Sequence, residues 1–277
     1  MFVLLTRPLS TTAQAGVGAD KKPKPSKREI KILMLHGYTQ TGPLFHSKTR
    51  ALEKLLIKSL APLNLAPTLI YPTAPNRLRP RDIPGYQAKE DEDSDSELDS
   101  WAWWRRDEAS GAYRFLKEGM MRVAETIKEN VGEGGTIDGV VGFSQGGALA
   151  AMLAAAMERG REVPGGEEGE WAQAVRDANG GEPLKFSVIY SGFYAPPEEL
   201  KWLYEPKIAT PTLHFLGGLD TVVDESRSQG LVDRCVEPTV YTHPGGHHVP
   251  VSKEWAMPLV AFIRKCVEEK EEGKSAL

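Results

Sequence analysis

The sequence is poor in cysteine, lacks a long apolar run and carries no excess of positive charge, and each absence excludes a class of protein. Only two of its 277 residues are cysteines, Cys235 and Cys266, so at most one disulfide is possible and no metal-binding cysteine spacing is present. No run reaches the ~18 apolar residues of a transmembrane helix. The net charge of −4 argues against nucleic-acid binding, which requires a basic surface. We therefore expect an intracellular protein that needs no metal and binds no nucleic acid.

The first 28 residues are predicted to be a disordered extension. An alternative stays open, because residues 1–18 contain an arginine, a serine, three threonines and no acidic residue, as in mitochondrial transit peptides. The expected location is the cytoplasm, with the nucleus and the mitochondrion as alternatives.

Predicted strands and helices alternate along most of the chain. Strands are predicted at 30–35, 68–71, 137–141, 186–190, 212–216 and 238–241, and helices at 43–59, 112–130, 147–159 and 252–269. This alternation predicts an α/β fold, in which a mostly parallel sheet carries helices on both faces as a three-layer sandwich. We assign residues 29–270 to one domain and 271–277 to a tail.

Two charged segments interrupt the alternation. Residues 88–100 hold an acidic run at 90–99 and are predicted to be a solvated loop, with docking to a basic partner as the alternative. Residues 160–182 are rich in glycine and glutamate and are predicted to be a second surface loop, with at most a short helix at 171–178.

Ser144 stands in the most informative motif of the chain, Gly142-Phe143-Ser144-Gln145-Gly146. The motif fits Gly-x-Ser-x-Gly, the nucleophile elbow of α/β-hydrolases, and it falls between a predicted strand and a predicted helix, as that elbow must. Small residues two positions either side of the serine permit the sharp turn that exposes its hydroxyl. We therefore predict that Ser144 is a catalytic nucleophile. The alternative is an inert serine in a glycine-rich turn.

A serine nucleophile needs a histidine base and an acid that orients the base. In chains with this elbow the acid comes after the serine and before the histidine. Asp220 lies just past the strand predicted at 212–216 and is the first candidate for the acid. Asp224, four residues further on, is the fallback.

The candidates for the base are three histidines crowded into one loop after the last predicted strand. Gly245-Gly246 gives this loop the freedom to turn His247 towards the serine. The order of the motifs therefore favours Ser144, Asp220 and His247, while the pattern alone leaves open which of the three histidines acts: His243, His247 or His248.

A second glycine turn, His36-Gly37-Tyr38, follows the first predicted strand. Hydrolases of this class take one oxyanion-hole donor from such a loop and the other from the residue after the nucleophile. We predict the backbone N–H groups of Tyr38 and Gln145 as these donors. His36 is expected to orient the loop, because the mechanism uses a single histidine base.

Aromatic residues near the predicted sheet edge are candidates for the walls of a substrate pocket. Trp103 belongs to the cluster Trp101-Ala102-Trp103-Trp104, and its role as a core residue is an equal alternative. Phe193 and Tyr194 follow the strand at 186–190, at the edge where open α/β sheets bind ligands. We predict that Trp103, Phe193 and Tyr194 line the pocket.

Taken together, these motifs resemble the FSH family of serine hydrolases, found in fungi and animals. The matching residues span about 30–267 and are specific in combination: Leu35-His36-Gly37-Tyr38-Thr39-Gln40, Trp103-Trp104, Asp138-Gly139-Val140-Val141-Gly142-Phe143-Ser144-Gln145-Gly146-Gly147, Ser191-Gly192-Phe193, Gly218-Leu219-Asp220 and Gly245-Gly246-His247-His248-Val249-Pro250. The resemblance implies an α/β-hydrolase fold and a triad of Ser144, Asp220 and His247. Members of the family look like small-acyl esterases and thioesterases, and some release polyketide products from a synthase.

We therefore expect a serine esterase or thioesterase that works without a cofactor, through an acyl-serine intermediate. Its expected partner is a small acyl ester or thioester, and an acyl carrier is a further possibility. Other hypotheses remain: a polyketide-releasing thioesterase, a lipid-like carboxylesterase or peptidase, and a silent homologue that binds a small molecule without turnover. The two charged segments, 88–100 and 160–182, leave the choice of substrate open.

Overall fold

The computed structural model of the chain describes residues 27–83, 85 and 98–275, and its side chains as far as residue 268. Nearly all of the extension predicted at 1–28, and residues 88–97 of the predicted acidic loop, lie outside this part. Within the described part, no helix is both long enough and apolar enough to cross a membrane.

The described residues contain ten strands, six of which form the central sheet. All neighbours in that sheet are parallel, in the order β10-β9-β8-β7-β1-β2, so the prediction of a mostly parallel sheet is confirmed. Two small antiparallel pairs, β3 with β4 and β5 with β6, lie outside it. In chain order the strands are β1 (Arg28–Leu35), β2 (Leu65–Ile70), β3 (Asn76–Arg77), β4 (Trp101–Ala102), β5 (Arg105–Arg106), β6 (Tyr113–Arg114), β7 (Gly139–Phe143), β8 (Phe186–Tyr190), β9 (Thr212–Gly217) and β10 (Thr239–His243).

Helices cover both faces of the sheet, which gives the predicted three layers. Alternate residues of β1 point to opposite faces, so Ile32 packs with one helical layer and Leu33 with the other. Helices α1 and α6 lie on the first face, and α2, α3 and α4 lie on the second. The helices are α1 (Gly42–Leu60), α2 (Leu116–Val131), α3 (Gln145–Ala156), α4 (Glu167–Ala178), α5 (Glu225–Val232) and α6 (Lys253–Ser275), with short 3-10 turns at Ala61–Leu63, Pro80–Asp82 and Glu198–Leu203.

Helix α3, which follows the elbow, is buried along its whole length. Its sequence is almost entirely alanine, leucine, methionine and glycine, so no side of it is suited to water. Alanines allow the helix to lie close to the sheet on one side and to α4 on the other. This helix therefore holds the residue before it, Ser144, at a fixed height above the sheet edge.

A buried carboxylate joins three strands just before the elbow. Asp138 accepts a hydrogen bond of 2.8 Å from the backbone N–H of Lys31 in β1, and it also pairs with the ammonium group of Lys185, the residue before β8. The start of β7 is thereby tied to both of its neighbours, which fixes the register of the strand that leads to Ser144.

The structure corrects three boundaries. The short helix considered at 171–178 is present as α4, but it begins at residue 167, and its apolar face packs on α2 and α3, so this part of the segment 160–182 is not a surface loop. The predicted tail at 271–277 is helical through residue 275, because α6 continues into it, and β1 begins at Arg28, inside the predicted extension.

Trp171 of α4 supplies a direct test of this correction. Its side chain is only 1% exposed and packs against Trp202, with 5.7 Å between the ring centroids. We expect Trp171→Ala to lower the free energy of unfolding by about 3–5 kcal/mol, the usual cost of removing a buried aromatic side chain. Urea denaturation would measure this, with Gln173→Ala on the exposed side of the same helix as the control. Equal stabilities for the two variants would mean that the segment packs as a loop after all.

Candidate active site

Ser144 occupies a strained turn between β7 and α3. Its backbone has φ of 53° and ψ of −114°, a left-handed conformation that is costly for a residue with a side chain. Close contacts make the two flanking glycines necessary: a Cβ on Gly142 would lie 2.0 Å from the carbonyl oxygen of Gly146, and one on Gly146 would lie 2.1 Å from that of Leu35. The Ser144 N–H donates to the carbonyl of Tyr190 at 2.8 Å, which anchors the turn to β8.

A chain of two hydrogen bonds connects Ser144 to Asp220 through His247. Nε2 of His247 lies 3.0 Å from Oγ of Ser144, and Nδ1 lies 2.7 Å from Oδ2 of Asp220. Because a carboxylate only accepts, Nδ1 carries the proton, and Nε2 is left free to accept the serine proton. The structure thus brings together the three residues that the sequence order favoured.

Asp220 is held as a carboxylate by the groups around it. Burial raises its pKa, but hydrogen bonds from His247 and from the backbone N–H groups of Val223 and Val222 outweigh burial, and the net pKa lies below its ordinary value. Both backbone groups donate to Oδ1 at 2.9 Å, so the other oxygen stays directed at His247.

The rival residues do not join this chain. His243 is buried, where its Nδ1 accepts from the N–H of Gly245 at 3.2 Å, and burial lowers its pKa. His248 is exposed and packs edge-on against His243, with 5.0 Å between the ring centroids. Asp224 caps helix α5, because its side chain accepts from the N–H of Arg227.

The predicted oxyanion donors flank the serine. Neither the N–H of Tyr38 nor that of Gln145 donates a hydrogen bond within the described ranges, so both remain available to an oxyanion. The Gln145 side chain has a separate role: its Oε1 accepts from the N–H of Trp103, and its Nε2 donates to the carbonyl of Trp104, both at 2.9 Å. This amide therefore ties the elbow to the backbone at 103–104.

His36 has contacts that suit an orienting role. Its ring is buried, Nε2 accepts from the N–H of Ala74 at 3.0 Å, and Nδ1 lies 2.8 Å from the carbonyl of Gly37. Burial lowers its pKa to about 4, so the ring is neutral at pH 7. The indole N–H of Trp103 donates to the His36 carbonyl at 2.9 Å, which completes the support of this loop.

Two cavities meet at Ser144, and both include Tyr38 and Val222. The first has a volume of about 560 Å³ and is also lined by Phe45, Lys48, Phe143, His247, His248 and Val249. The second, of about 600 Å³, is lined by Gln145 and, further out, by Trp104, Arg106, Tyr113, Phe193 and Arg227. Volumes of this size suit small-molecule ligands.

The structure corrects two of the three predicted pocket residues. Phe193 lines the second cavity. Trp103 does not, because its side chain is 0% exposed and its indole points back to the His36 carbonyl. Its neighbour Trp104 forms the wall instead. Tyr194 lies in a separate depression, where the guanidinium of Arg234 covers its ring.

Several lining residues were not predicted from the sequence. The cluster of tryptophans signalled Trp104, but no local pattern distinguishes Arg106, Tyr113 or Arg227, which come from the β5–β6 pair and from α5. Among the residues that the structure describes, no group of three or more His, Cys, Asp or Glu side chains is placed to hold a metal ion.

Comparison with known families agrees with this geometry. Residues 26–259 match the family described as serine hydrolase (FSH1). The chain belongs to this family. The match covers every residue of the Ser144–His247–Asp220 chain, and the α/β-hydrolase fold accords with it.

Individual relatives differ in how much of their length the chain spans. It is 31% identical over 243 residues to Family of serine hydrolases 2 of Saccharomyces cerevisiae, covering 86% of this chain and 96% of that protein. It is 29% identical to Esterase OVCA2 of Danio rerio, covering 85% and 97%. A Schizosaccharomyces pombe protein named dihydrofolate reductase is 32% identical over 80% of this chain, but the chain spans only 44% of that protein's length.

The fold also recurs in solved structures. The crystal structure of Arabidopsis thaliana SOBER1 superposes with a TM-score of 0.53 at 19% identity, over 86% of this chain and 99% of that one. At this identity the likeness concerns the fold alone.

The elbow contacts predict a severe effect of a single added methyl group. We expect Gly146→Ala to displace the turn, because the new Cβ would lie 2.1 Å from the Leu35 carbonyl oxygen. Labelling of Ser144 by a fluorophosphonate should fall at least tenfold, and the melting temperature should drop. Gly165→Ala is the matched control, because nothing lies within 4 Å of its added Cβ. Wild-type labelling of Gly146→Ala would contradict the assigned turn.

The buried histidines predict acid sensitivity. Burial lowers the pKa of both His36 and His214 to about 4, below the 6.5 of an unfolded histidine. Between about pH 4 and 6.5 these histidines take up protons in the unfolded chain but stay neutral in the folded chain. The free energy of unfolding therefore decreases as the pH falls below about 6.5. We expect the free energy of unfolding to fall by about 1 kcal/mol per pH unit for each histidine. Urea titrations from pH 7.5 to 5 should show a shallower fall in His214→Gln; an unchanged slope would refute this.

Proposed function

We propose that the protein is a serine hydrolase that cleaves acyl esters or thioesters without a cofactor, through an acyl-serine intermediate. The observation that carries the proposal is the unbroken Asp220–His247–Ser144 hydrogen-bond chain, which ends at the junction of two cavities. A serine at the end of such a chain is activated as a nucleophile.

In the first half of the reaction, Ser144 Oγ attacks the substrate carbonyl carbon while its proton passes to Nε2 of His247. The carbonyl oxygen becomes an oxyanion, which the N–H groups of Tyr38 and Gln145 stabilise; one such donor lowers the barrier by about 3–4 kcal/mol. The tetrahedral intermediate collapses, the bond to the leaving group breaks, and His247 returns the proton to the departing oxygen or sulfur.

In the second half, water replaces the leaving group. His247 takes a proton from water, whose oxygen attacks the acyl carbon, and collapse of this intermediate releases the acid and restores the serine hydroxyl. The carboxylate of Asp220 stabilises the imidazolium formed in each half. No step requires a metal or an organic cofactor.

The class of substrate rests on cavity size and on the relatives. Two cavities of about 560 and 600 Å³ fit the two halves of a small ester better than a polypeptide. One close relative is named an esterase, which supports ester bonds as the target. Thioesters follow from the same chemistry, since a thiolate is also a competent leaving group. Release of polyketide products and transfer from an acyl carrier are variants of this reaction.

The proposal predicts a specific pattern of active-site labelling. A fluorophosphonate should modify Ser144, and peptide mapping should find the adduct at that residue alone. We expect Ser144→Ala and His247→Ala each to lower ester turnover by about 10⁶-fold, because the members of a triad act as a unit. Asp220→Asn should also lower turnover strongly, by about 10⁴-fold, because it disturbs the orientation and tautomer of His247.

His248→Ala is the matched control for His247→Ala, since the two side chains are neighbours and only one contacts the serine. It should still be labelled at Ser144. Circular dichroism would establish that each variant is folded. Stable ligand binding by a folded wild-type protein that never becomes labelled would support the silent binding homologue instead.

A further inference from the structure

The two cavities differ in their position relative to the histidine of the hydrogen-bond chain. His247 lines the first cavity but not the second. Because this histidine must reach the leaving atom to protonate it, the leaving group lies on the side of the first cavity. The second cavity, which begins at Gln145, is left for the acyl group. We call these the leaving-group cavity and the acyl cavity.

Aromatic rings form the walls of the acyl cavity. Trp104 stacks on Tyr113, with 4.9 Å between the ring centroids, and meets Phe193 edge-on at 6.4 Å. These rings give an acyl chain a rigid apolar passage away from Ser144. Trp104 is itself held by the Gln145 side chain, so this passage starts in register with the oxyanion donors.

Two arginines converge on this aromatic wall. Arg106 pairs across the β5–β6 strands with Tyr113, and the guanidinium of Arg227 lies 4.4 Å from the centroid of the Phe193 ring. Burial raises the pKa of Tyr113 to about 12, and the positive charges of Arg227 and Arg106 act against that rise. Tyr113 itself lines the cavity.

Three acidic residues also lie around the acyl cavity: Asp82, Glu108 and Asp224. Asp82 is compensated, because its Oδ2 lies 3.2 Å from a guanidinium nitrogen of Arg105 and also accepts from the N–H of Arg79. Glu108 stands exposed in the lining, and Asp224 lies at the base of α5 near Arg227. Arg106 forms no ion pair with any described residue. An aromatic passage that ends at guanidinium groups suits an acyl chain with an anionic end.

We propose that the acyl half of the substrate carries a second carboxylate, so that the preferred substrates are monoesters or monothioesters of dicarboxylic acids. The far carboxylate binds Arg227 and Arg106, with the Tyr113 hydroxyl as a further donor, while the near carbonyl faces Ser144. This inference rests on the proposed function and adds to it a substrate class.

The test compares two esters that differ only in that charge: p-nitrophenyl monoadipate and its methyl ester. Adipate is chosen because shorter dicarboxylic monoesters cleave themselves through cyclic anhydrides. In wild-type protein we expect kcat/KM for the charged ester to exceed that for the methyl ester by about tenfold, as for one charge-assisted hydrogen bond of modest strength. Because the arginines are exposed, 0.5 M salt should reduce this ratio.

The ratio should fall towards one in the Arg106→Met, Arg227→Met double variant. Arg227→Lys keeps the charge and should keep part of the preference, and it guards against a fold defect in the double variant. Arg234→Met is the matched control, because its guanidinium, like that of Arg227, covers an aromatic ring: it lies 3.8 Å from the centroid of the Tyr194 ring, outside the acyl cavity. It should retain the wild-type ratio.

A second pair of esters assigns the cavity. 4-Carboxyphenyl hexanoate carries the charge on the leaving group, and its methyl ester is the uncharged counterpart. An arginine-dependent preference within this pair, and not within the adipate pair, would overturn the assignment of the acyl cavity. Hydrolysis of both adipates with equal kcat/KM, or a preference that survives in the double variant, would overturn the inference alone. Hydrolysis of neither ester, together with no labelling of Ser144, would overturn the proposed function and the inference with it.

Discussion

The close approach of the elbow to the first strand is the constraint on which the site depends. Gly146 lies so near the end of β1 that a single methyl group would collide with the Leu35 carbonyl oxygen, and Gly142 lies equally near Gly146 itself. This proximity sets the serine above the sheet edge, where His247 reaches it from the loop after β10. The strained backbone of Ser144 is maintained because strands on both sides, and the buried helix α3 behind, leave the turn no room to relax.

A small set of hydrogen bonds connects the elbow to the loop and the backbone that line the cavities. The Gln145 amide holds both peptide groups at 103–104, and the Trp103 indole holds the loop that contains His36 and Tyr38. The side chain of one elbow residue thereby joins the turn at Ser144 to Trp104, which lines the second cavity. The electrostatic centre and the shape of the cleft are consequently parts of one network, not independent features.

Much of this could be predicted from the sequence, because parallel strands end at a common edge. The strand predicted at 186–190 has the bounds of β8. The order of the motifs predicted that Asp220 and His247 lie at the same sheet edge as Ser144, and the structure places them there. Other features depend on contacts that no local pattern encodes. The hydrogen bond from the Trp103 indole to the His36 carbonyl turns that tryptophan away from the cavity, and it joins residues far apart in the sequence. Helix α4 was harder to predict, because only a few residues of its glycine- and glutamate-rich segment are buried.

Part of the wall of the acyl cavity belongs to the short β5–β6 pair, which supplies Arg106 and Tyr113. The β5–β6 pair lies within residues 105–114, and its contacts with the rest of the protein include the Arg105–Asp82 ion pair and the stacking of Tyr113 on Trp104. None of the three residues of the hydrogen-bond chain lies in it. Changes in this hairpin could therefore alter which acyl groups the protein accepts, while the residues of the hydrogen-bond chain stay the same.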